Sequence, residues 1–165
     1  MDLRTYQQGL EWLTAHHLPT PTREEILSVY PNHFSAAIPP DSGRKTYLGK
    51  AIVDTFFADS TVYLSVGQGI WTSCENVGMF LRMRESSKCA IAGSLDEYPV
   101  HILYPKEQND LEYLLTLCLY FIWDVTVMAS DKEMCLVLSH DEFVDIYTRF
   151  PLDDTVTTFL KEIFL

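Results

Sequence analysis

Apolar residues recur at helical spacing through the first third of the chain. One stripe repeats every three or four residues and consists of Leu3, Tyr6, Leu10 and Leu13. It predicts an amphipathic helix over residues 2–16. Thr22 and Glu25 have the spacing of a capping box, which predicts a short second helix that stops at the next proline. Residues 31–45 are predicted to form a loop and residues 46–58 a third helix.

The middle of the chain changes to strand-like patterns. Thr61–Val66 is rich in β-branched residues and alternates, so it predicts a strand. Residues 74–86 fit either a helix with Ser73 as its cap or a strand, and the helix is favoured. Lys88–Ala92 and Val100–Leu103 predict two further short strands on either side of a turn.

The most apolar stretch begins the last third of the chain. Its apolar residues cover most of the circumference of a helix predicted over 107–122, so this helix is expected to be buried on most sides. Val125–Ala129 and Met134–Leu138 are separated by four polar residues and predict a β-hairpin.

Two more helices are predicted beyond the hairpin. Ser139 and Glu142 have capping-box spacing, which predicts a helix continuing through Tyr147. Asp153 or Asp154 is expected to cap the last helix, whose apolar residues should dock onto the domain.

This order of elements is neither strict βαβ alternation nor a fixed repeat. Together with the length of 165 residues, it predicts one α+β domain over residues 1–165. The helices are expected to pack on a four- to five-stranded, mainly antiparallel sheet.

Composition excludes several classes of protein. The chain is 47% hydrophobic and 21% charged, which is typical of a globular domain. No stretch reaches the roughly 18–20 apolar residues needed to cross a bilayer, and the N-terminus lacks the pattern of a signal peptide. The four cysteines include no closely spaced pair, which favours a reduced, cytoplasmic protein without a zinc cluster. No cofactor or metal site is predicted.

Negative charge is concentrated towards the C-terminus. Residues 106–165 contain 12 Asp or Glu and four Lys or Arg, a net charge of −8 out of −11 for the whole chain. A surface of this kind repels nucleic acid and anionic membranes and suits a basic partner. We therefore expect neither nucleic-acid binding nor membrane binding.

The segment Ser139–Asp141 contains the three residue types of a hydrolase triad, but catalytic triads assemble from separate segments. A capping role is the better interpretation of Ser139. Asp124 follows the long helix, where a carboxylate is unfavourable, so we expect it to have a partner such as Arg82, Arg84 or a backbone N–H. His140 is expected to project into a surface groove.

Acidic and aromatic residues of this region form the predicted partner-binding set. Its members are Trp71, Asp131, Glu133, His140, Asp141, Glu142, Asp145 and Tyr147. The carboxylates would steer a basic partner, and aromatic residues would supply the buried anchors. An ordinary solvated acidic surface is the alternative explanation of the same charges.

Several short motifs resemble those of small bacterial immunity-type proteins associated with polymorphic toxins. They are Ile70–Thr72, Phe80–Ser86, Phe121–Asp124 and Ser139–Phe143. The resemblance implies a cytoplasmic, non-enzymatic protein that neutralises a cognate toxin by binding it. The acidic residues suit a toxin with a basic active-site cleft, and a monomer or weak homodimer is expected. Two alternatives stay open: a homo-oligomeric interaction module, and an enzyme that uses His140, Asp141 and Asp124.

Overall fold

Helices pack on both faces of one antiparallel sheet in a computed structural model that describes residues 1–67, 75–86 and 94–164. The elements in chain order are β1 (Asp2–Arg4), α1 (Tyr6–Ala15), α2 (Arg23–Val29), β2 (Asn32–Ala37), α3 (Ser42–Ile52), β3 (Val62–Val66), α4 (Glu75–Ser86), β4 (Val100–Leu103), α5 (Gln108–Phe121), β5 (Val125–Ala129), β6 (Met134–Ser139), β7 (Phe143–Thr148) and α6 (Asp154–Phe164). A π-helical turn, Val53–Phe57, follows α3, and a 3-10 turn, Pro105–Glu107, precedes α5.

The sheet has seven strands in the order β1-β4-β3-β5-β6-β7-β2, and every neighbouring pair is antiparallel. The prediction of an α+β architecture is confirmed, and the sheet is larger than the four to five strands expected. β3, β4, β5 and β6 lie where strands were predicted. The predicted strand Lys88–Ala92 lies outside the described residues.

The larger hydrophobic core lies between the sheet and helices α3, α4, α5 and α6. Helix α5 contributes five buried residues: Leu111, Leu114, Leu115, Cys118 and Leu119. They face alternate residues of the central strands, such as Val125 and Val127 of β5. In α6, Leu160 is completely buried in this core, so the last helix docks onto the domain as expected.

A smaller core covers part of the other face. Trp12 and Leu13 of α1 and Ile26 of α2 pack there. The sheet residues beneath them form one row across neighbouring strands: Ile102, Tyr63, Met128, Cys135 and Tyr147. Helices α1 and α2 are short, with ten and seven residues, and they leave the rest of this face open to a groove described below.

Two sequence predictions near the N-terminus need correction. The first helix starts at Tyr6, because Thr5 is its N-cap and forms a capping box with Gln8. Asp2–Arg4 is instead an edge strand that pairs with β4. The predicted loop over 31–45 contains β2 and the start of α3, which Asp41 caps by accepting a hydrogen bond from the Arg44 N–H.

Thr22 caps α2 as predicted and accepts a hydrogen bond from the Glu25 N–H at 3.4 Å. The Glu25 carboxylate accepts from the Thr20 N–H at 2.9 Å. This interaction lowers the pKa of Glu25. In a complete capping box the Glu25 carboxylate would accept from the backbone N–H of the N-cap, Thr22. Here it accepts from Thr20 instead, so only half of the predicted capping box forms. Residues 75–86 form a helix, the favoured alternative.

The helix predicted to start at Ser139 is wrong. Residues 140–142 form a turn, and Phe143–Thr148 is strand β7, paired with β6 on one side and β2 on the other. Its side chains alternate between the two faces, with Val144 and Ile146 in the larger core. Two β-branched residues at this spacing and hydrogen bonding along both edges outweigh the capping pattern.

Candidate functional site

An open groove of about 950 Å³ lies on the sheet face that α1 and α2 only partly cover. Its floor is one row of side chains across five strands, namely Ser65, Thr126, Val137, Asp145 and Ser35. We call this concavity the sheet groove. Four of the five floor residues are polar, although the row crosses the central strands of the sheet.

The walls of the sheet groove come from the ends of neighbouring elements. Tyr6, the first residue of α1, and Ile26 and Arg23 of α2 line one side. Phe143 and Tyr147 of β7 line the groove on the sheet side, two residues before and after Asp145. Because the side chains of a strand alternate, these three residues of β7 project to the same face.

The contrast between two rows of side chains explains why the groove is open. The row beneath α1 and α2 is apolar, and its burial holds those helices against the sheet. The next row, which includes Ser65 and Thr126, offers little apolar area to bury. A helix extended over it would gain little from the contact, so the face stays accessible there.

Asp124 and His140 form a hydrogen-bonded pair at the end of the groove nearest the turn 140–142. The Asp124 Oδ1 atom accepts from the backbone N–H of His140 at 2.8 Å, and both carboxylate oxygens lie 2.9 Å from the ring Nδ1. The hydrogen bond to Asp124 raises the pKa of His140, and the charges of Asp124 and Asp141 act in the same direction. The pair fastens this turn to the start of β5.

The predicted backbone N–H partner of Asp124 is therefore confirmed, with the ring of the same residue as an additional partner. Of the two arginines proposed as partners, Arg84 is buried and donates to the Tyr98 carbonyl at 3.3 Å. The spatial neighbours of Asp124 are set by the pairing of β5 with β6, which brings the turn after β6 next to the start of β5.

His33 and Asp145 form a second pair within the groove. The His33 Nε2 atom lies 2.8 Å from Asp145 Oδ1, and the imidazole stacks on the Tyr147 ring with centroids 4.6 Å apart and an interplanar angle of 11°. Burial and the charge of Asp145 raise the pKa of Tyr147, and Arg23 opposes this effect. Asp145 is thus held by an imidazole on one side, beside an aromatic ring.

The structure divides the predicted partner-binding residues into groups. Asp141, Asp145 and Tyr147 line the sheet groove, while His140 and Glu142 flank it in the turn that follows β6. Trp71 lies outside the described residues.

Asp131 and Glu133 lie in the turn between β5 and β6, at the opposite end of the strands. With about 3.3 Å per residue, five- or six-residue strands separate the two ends by roughly 16–20 Å. Glu133 is paired there with Arg149 at 2.7 Å. The predicted set therefore does not form one continuous surface.

Several residues of the groove were missed by the sequence analysis. His33 and Ser35 were assigned to a loop, so their place on an edge strand beside Asp145 was not anticipated. Ser65 and Thr126 were placed on the correct strands without a functional role. Polar residues inside otherwise apolar central strands were the available signal for the groove floor.

Comparison with family models, with curated proteins and with solved structures gives no match for this chain. The resemblance to immunity-type proteins therefore stays a prediction. Among residues 1–67, 75–86 and 94–164, no three His, Cys, Asp or Glu side chains are grouped as a metal site would require. No helix in these ranges is long and apolar enough to cross a lipid bilayer.

Proposed function

We propose that the protein is an immunity-type binding protein that neutralises a cognate bacterial toxin in the cytoplasm by direct contact through the sheet groove. The observation that carries this proposal is the charge inside a concave, partly aromatic surface. The described residues lining the groove include three carboxylates, Asp124, Asp141 and Asp145, and one guanidinium, Arg23. With histidines neutral, these four groups sum to −2.

A groove with this composition suits a basic protein segment. Carboxylates steer a positively charged partner and can raise association rates to roughly 10⁸–10⁹ M⁻¹s⁻¹ at low salt. Phe143 is 46% exposed within the groove, so its ring is accessible to a partner that fills the groove. Glu142 and Asp141 extend the negative potential along the turn beside it.

Co-expression tests the proposal. The candidate toxin is the product of the gene immediately upstream. This product should kill cells alone and spare them when this protein is present, and the two proteins should elute together in gel filtration. Replacing the groove carboxylates in the double variant Asp141→Asn, Asp145→Asn should weaken the complex. The matched double variant Asp131→Asn, Glu133→Gln, at the other end of the strands, should bind as the wild type does.

The salt dependence of the association rate separates electrostatic steering from other contributions to binding. The association rate should fall by about tenfold or more between 50 and 500 mM salt, because screening reduces the interaction between exposed charges. Two results would contradict a role of the groove carboxylates. One is full rescue by the Asp141→Asn, Asp145→Asn variant, equal to that of the control variant, and the other is an affinity for the toxin that does not change with salt.

An enzymatic function is the second candidate, and the concave shape of the groove favours it. Two histidine–aspartate pairs, His33–Asp145 and His140–Asp124, lie in or beside the groove, and such pairs can transfer protons. The His140 side chain is 69% exposed, however, and its two ring nitrogens face the carboxylates of Asp124 at 2.9 Å and Asp141 at 3.7 Å. Turnover of a small substrate that is lost in His33→Gln would support this candidate.

A further inference from the structure

Strand β7 presents an alternating aromatic and acidic pattern to the sheet groove. Phe143, Asp145 and Tyr147 project to the same face at two-residue spacing, which places the Cα atoms of Phe143 and Tyr147 roughly 6.5–7 Å from that of Asp145. Across the two neighbouring strands, Asp145 is opposite Ser35 of β2 and Val137 of β6. The carboxylate is therefore flanked by two rings along its own strand and by smaller side chains across the sheet.

Asp145 is only partly engaged. Its Oδ1 atom contacts His33 Nε2 at 2.8 Å, while no described residue bonds to Oδ2. The side chain is 21% exposed, so water and ligands reach it from the groove. A free carboxylate oxygen in a partly enclosed, low-dielectric place is a strong acceptor for a cationic donor.

The rings of Tyr147 and Phe143 differ in how accessible their faces are to a ligand. One face of Tyr147 is covered by the His33 imidazole, at a centroid distance of 4.6 Å. Phe143 is 46% exposed and belongs to the wall next to Asp141. A planar cation can therefore bond to Asp145 and lie against the Phe143 ring at the same time.

We propose that Asp145 and Phe143 form a subsite for an arginine side chain of the protein partner. This inference rests on the proposed function, since it assumes a protein ligand in the groove. A guanidinium matches the site better than an ammonium, because it is planar, less strongly hydrated and able to donate to a carboxylate while stacking on a ring. Asp124 and Asp141 add negative potential, and Arg23 on the α2 side opposes it.

Short peptides test the subsite without knowledge of the partner. The probes are acetyl-Gly-Arg-Gly-amide, its lysine counterpart, and its citrulline counterpart, which has the shape of arginine without the charge. Each is titrated into the full-length protein at low salt, and binding is followed by NMR through the backbone amide of Asp145 and the ring of Phe143. The arginine peptide should bind at least about tenfold more tightly than the citrulline peptide, with lysine between them.

Variants assign the binding to the proposed atoms. Asp145→Asn and Phe143→Ala should each weaken the arginine peptide several-fold or more, whereas Asp131→Asn, an exposed aspartate in the β5–β6 turn, should not. Unchanged circular dichroism and melting temperature identify folded variants. Phe143→Leu keeps an apolar wall without an aromatic face, so it should also weaken arginine binding.

The outcomes separate this inference from the proposed function. Equal binding of arginine and citrulline peptides, absence of peptide binding, or equal losses in Asp145→Asn and Asp131→Asn would overturn the arginine subsite, even if the upstream toxin forms a complex. Conversely, a specific arginine subsite together with no rescue by co-expression would retain the subsite and refute the toxin as its partner.

Discussion

Helix α1 approaches the sheet most closely at Gly9, and this contact allows a sharp test of the packing. A Cβ atom at position 9 would lie 2.8 and 3.1 Å from the two γ-carbons of Val100 and 3.2 Å from Cε2 of Tyr63. Val100 and Tyr63 are both completely buried. An ordinary contact with a Cβ atom is 3.4–4 Å, so all three atoms would have to move.

The expected effect of Gly9→Ala is the difference between two opposing free energies. Alanine stabilises a helix interior by about 1 kcal/mol relative to glycine. Overpacking of a well-packed core destabilises by about 1–3 kcal/mol. Val100 has a carbon close to the new methyl group on both branches, so rotation about χ1 gives no relief. Gly9→Ala should therefore lower the free energy of unfolding by about 1 kcal/mol.

Gly78 provides the matched control. It lies within α4, and no atom of the described residues is within 4 Å of a Cβ built there. Gly78→Ala should raise the free energy of unfolding by about 1 kcal/mol, so the two variants should differ by about 2 kcal/mol. Urea unfolding followed by far-UV circular dichroism measures both, provided that the m-values agree.

A double-mutant cycle identifies the clashing group. Val100→Ala removes both γ-carbons, so Gly9→Ala should become neutral or stabilising in that background. Equal stability of the Gly9→Ala and Gly78→Ala variants, or the same loss on Gly9→Ala with and without Val100→Ala, would show that α1 does not pack this closely on β4.

Three further predictions follow from burial and charge. Asp124 raises the pKa of His140, so the protonated imidazole should stabilise the fold below about pH 6.5. This contribution should be lost as the pH rises through the raised pKa. NMR titration should give a lower pKa for His140 in Asp124→Asn than in the wild type. Cys118 and Cys135 are completely buried, which raises the pKa of both thiols, so mass mapping should show alkylation by iodoacetamide only after unfolding. Leu115→Ala should destabilise by about 2–5 kcal/mol in urea unfolding, because this side chain is completely buried, whereas truncation at an exposed position of the same helix should change stability by less than about 1 kcal/mol.

Regular patterns made the central elements predictable. The buried helix α5 and the hairpin of β5 and β6 were expected within one or two residues of their observed bounds. Both have strong local signals: a nearly continuous apolar surface in the helix, and two β-branched runs around a polar turn in the hairpin. The backbone hydrogen bonds within α5 and between β5 and β6 are also local in sequence, so local patterns were sufficient to predict these elements.

The edge strands were not predictable in the same way. β1 has three residues and β2 follows a proline, and each forms only by pairing with a strand more than 90 residues away in sequence. The N-cap Thr5 with Gln8 was a missed local signal that separates β1 from α1. At Ser139 the local capping pattern was present, yet pairing on both edges of β7 determined the conformation.

Knowledge of individual site residues was not sufficient to predict the site. Asp145 and Tyr147 were identified as partner-binding residues, although they had been assigned to a helix. Their relation to His33 depends on the pairing of β2 with β7, which joins segments 112 residues apart. Asp131 and Asp141 are only ten residues apart in sequence, but β6 carries them to opposite ends of the sheet. The number of charges along a chain gives no information about this separation in space.

The packing of α1 and the shape of the sheet groove depend on the same contact. Tyr6, at the first position of α1, lines the groove, and Gly9 lies one turn later against Val100. Moving α1 away from the sheet would therefore also move Tyr6 away from Ser65 on the groove floor. A side chain at position 9 is therefore expected to change the groove as well as the packing of the core. The polar floor of the groove does not hold α1 in this way. Ser65 and Thr126 occupy central strands, but they contribute none of the apolar burial that stabilises the packing of α1 on the sheet. A partner that covers the half-buried Thr126 would have to satisfy its hydroxyl group, which favours a polar, hydrogen-bonding ligand over a purely apolar one.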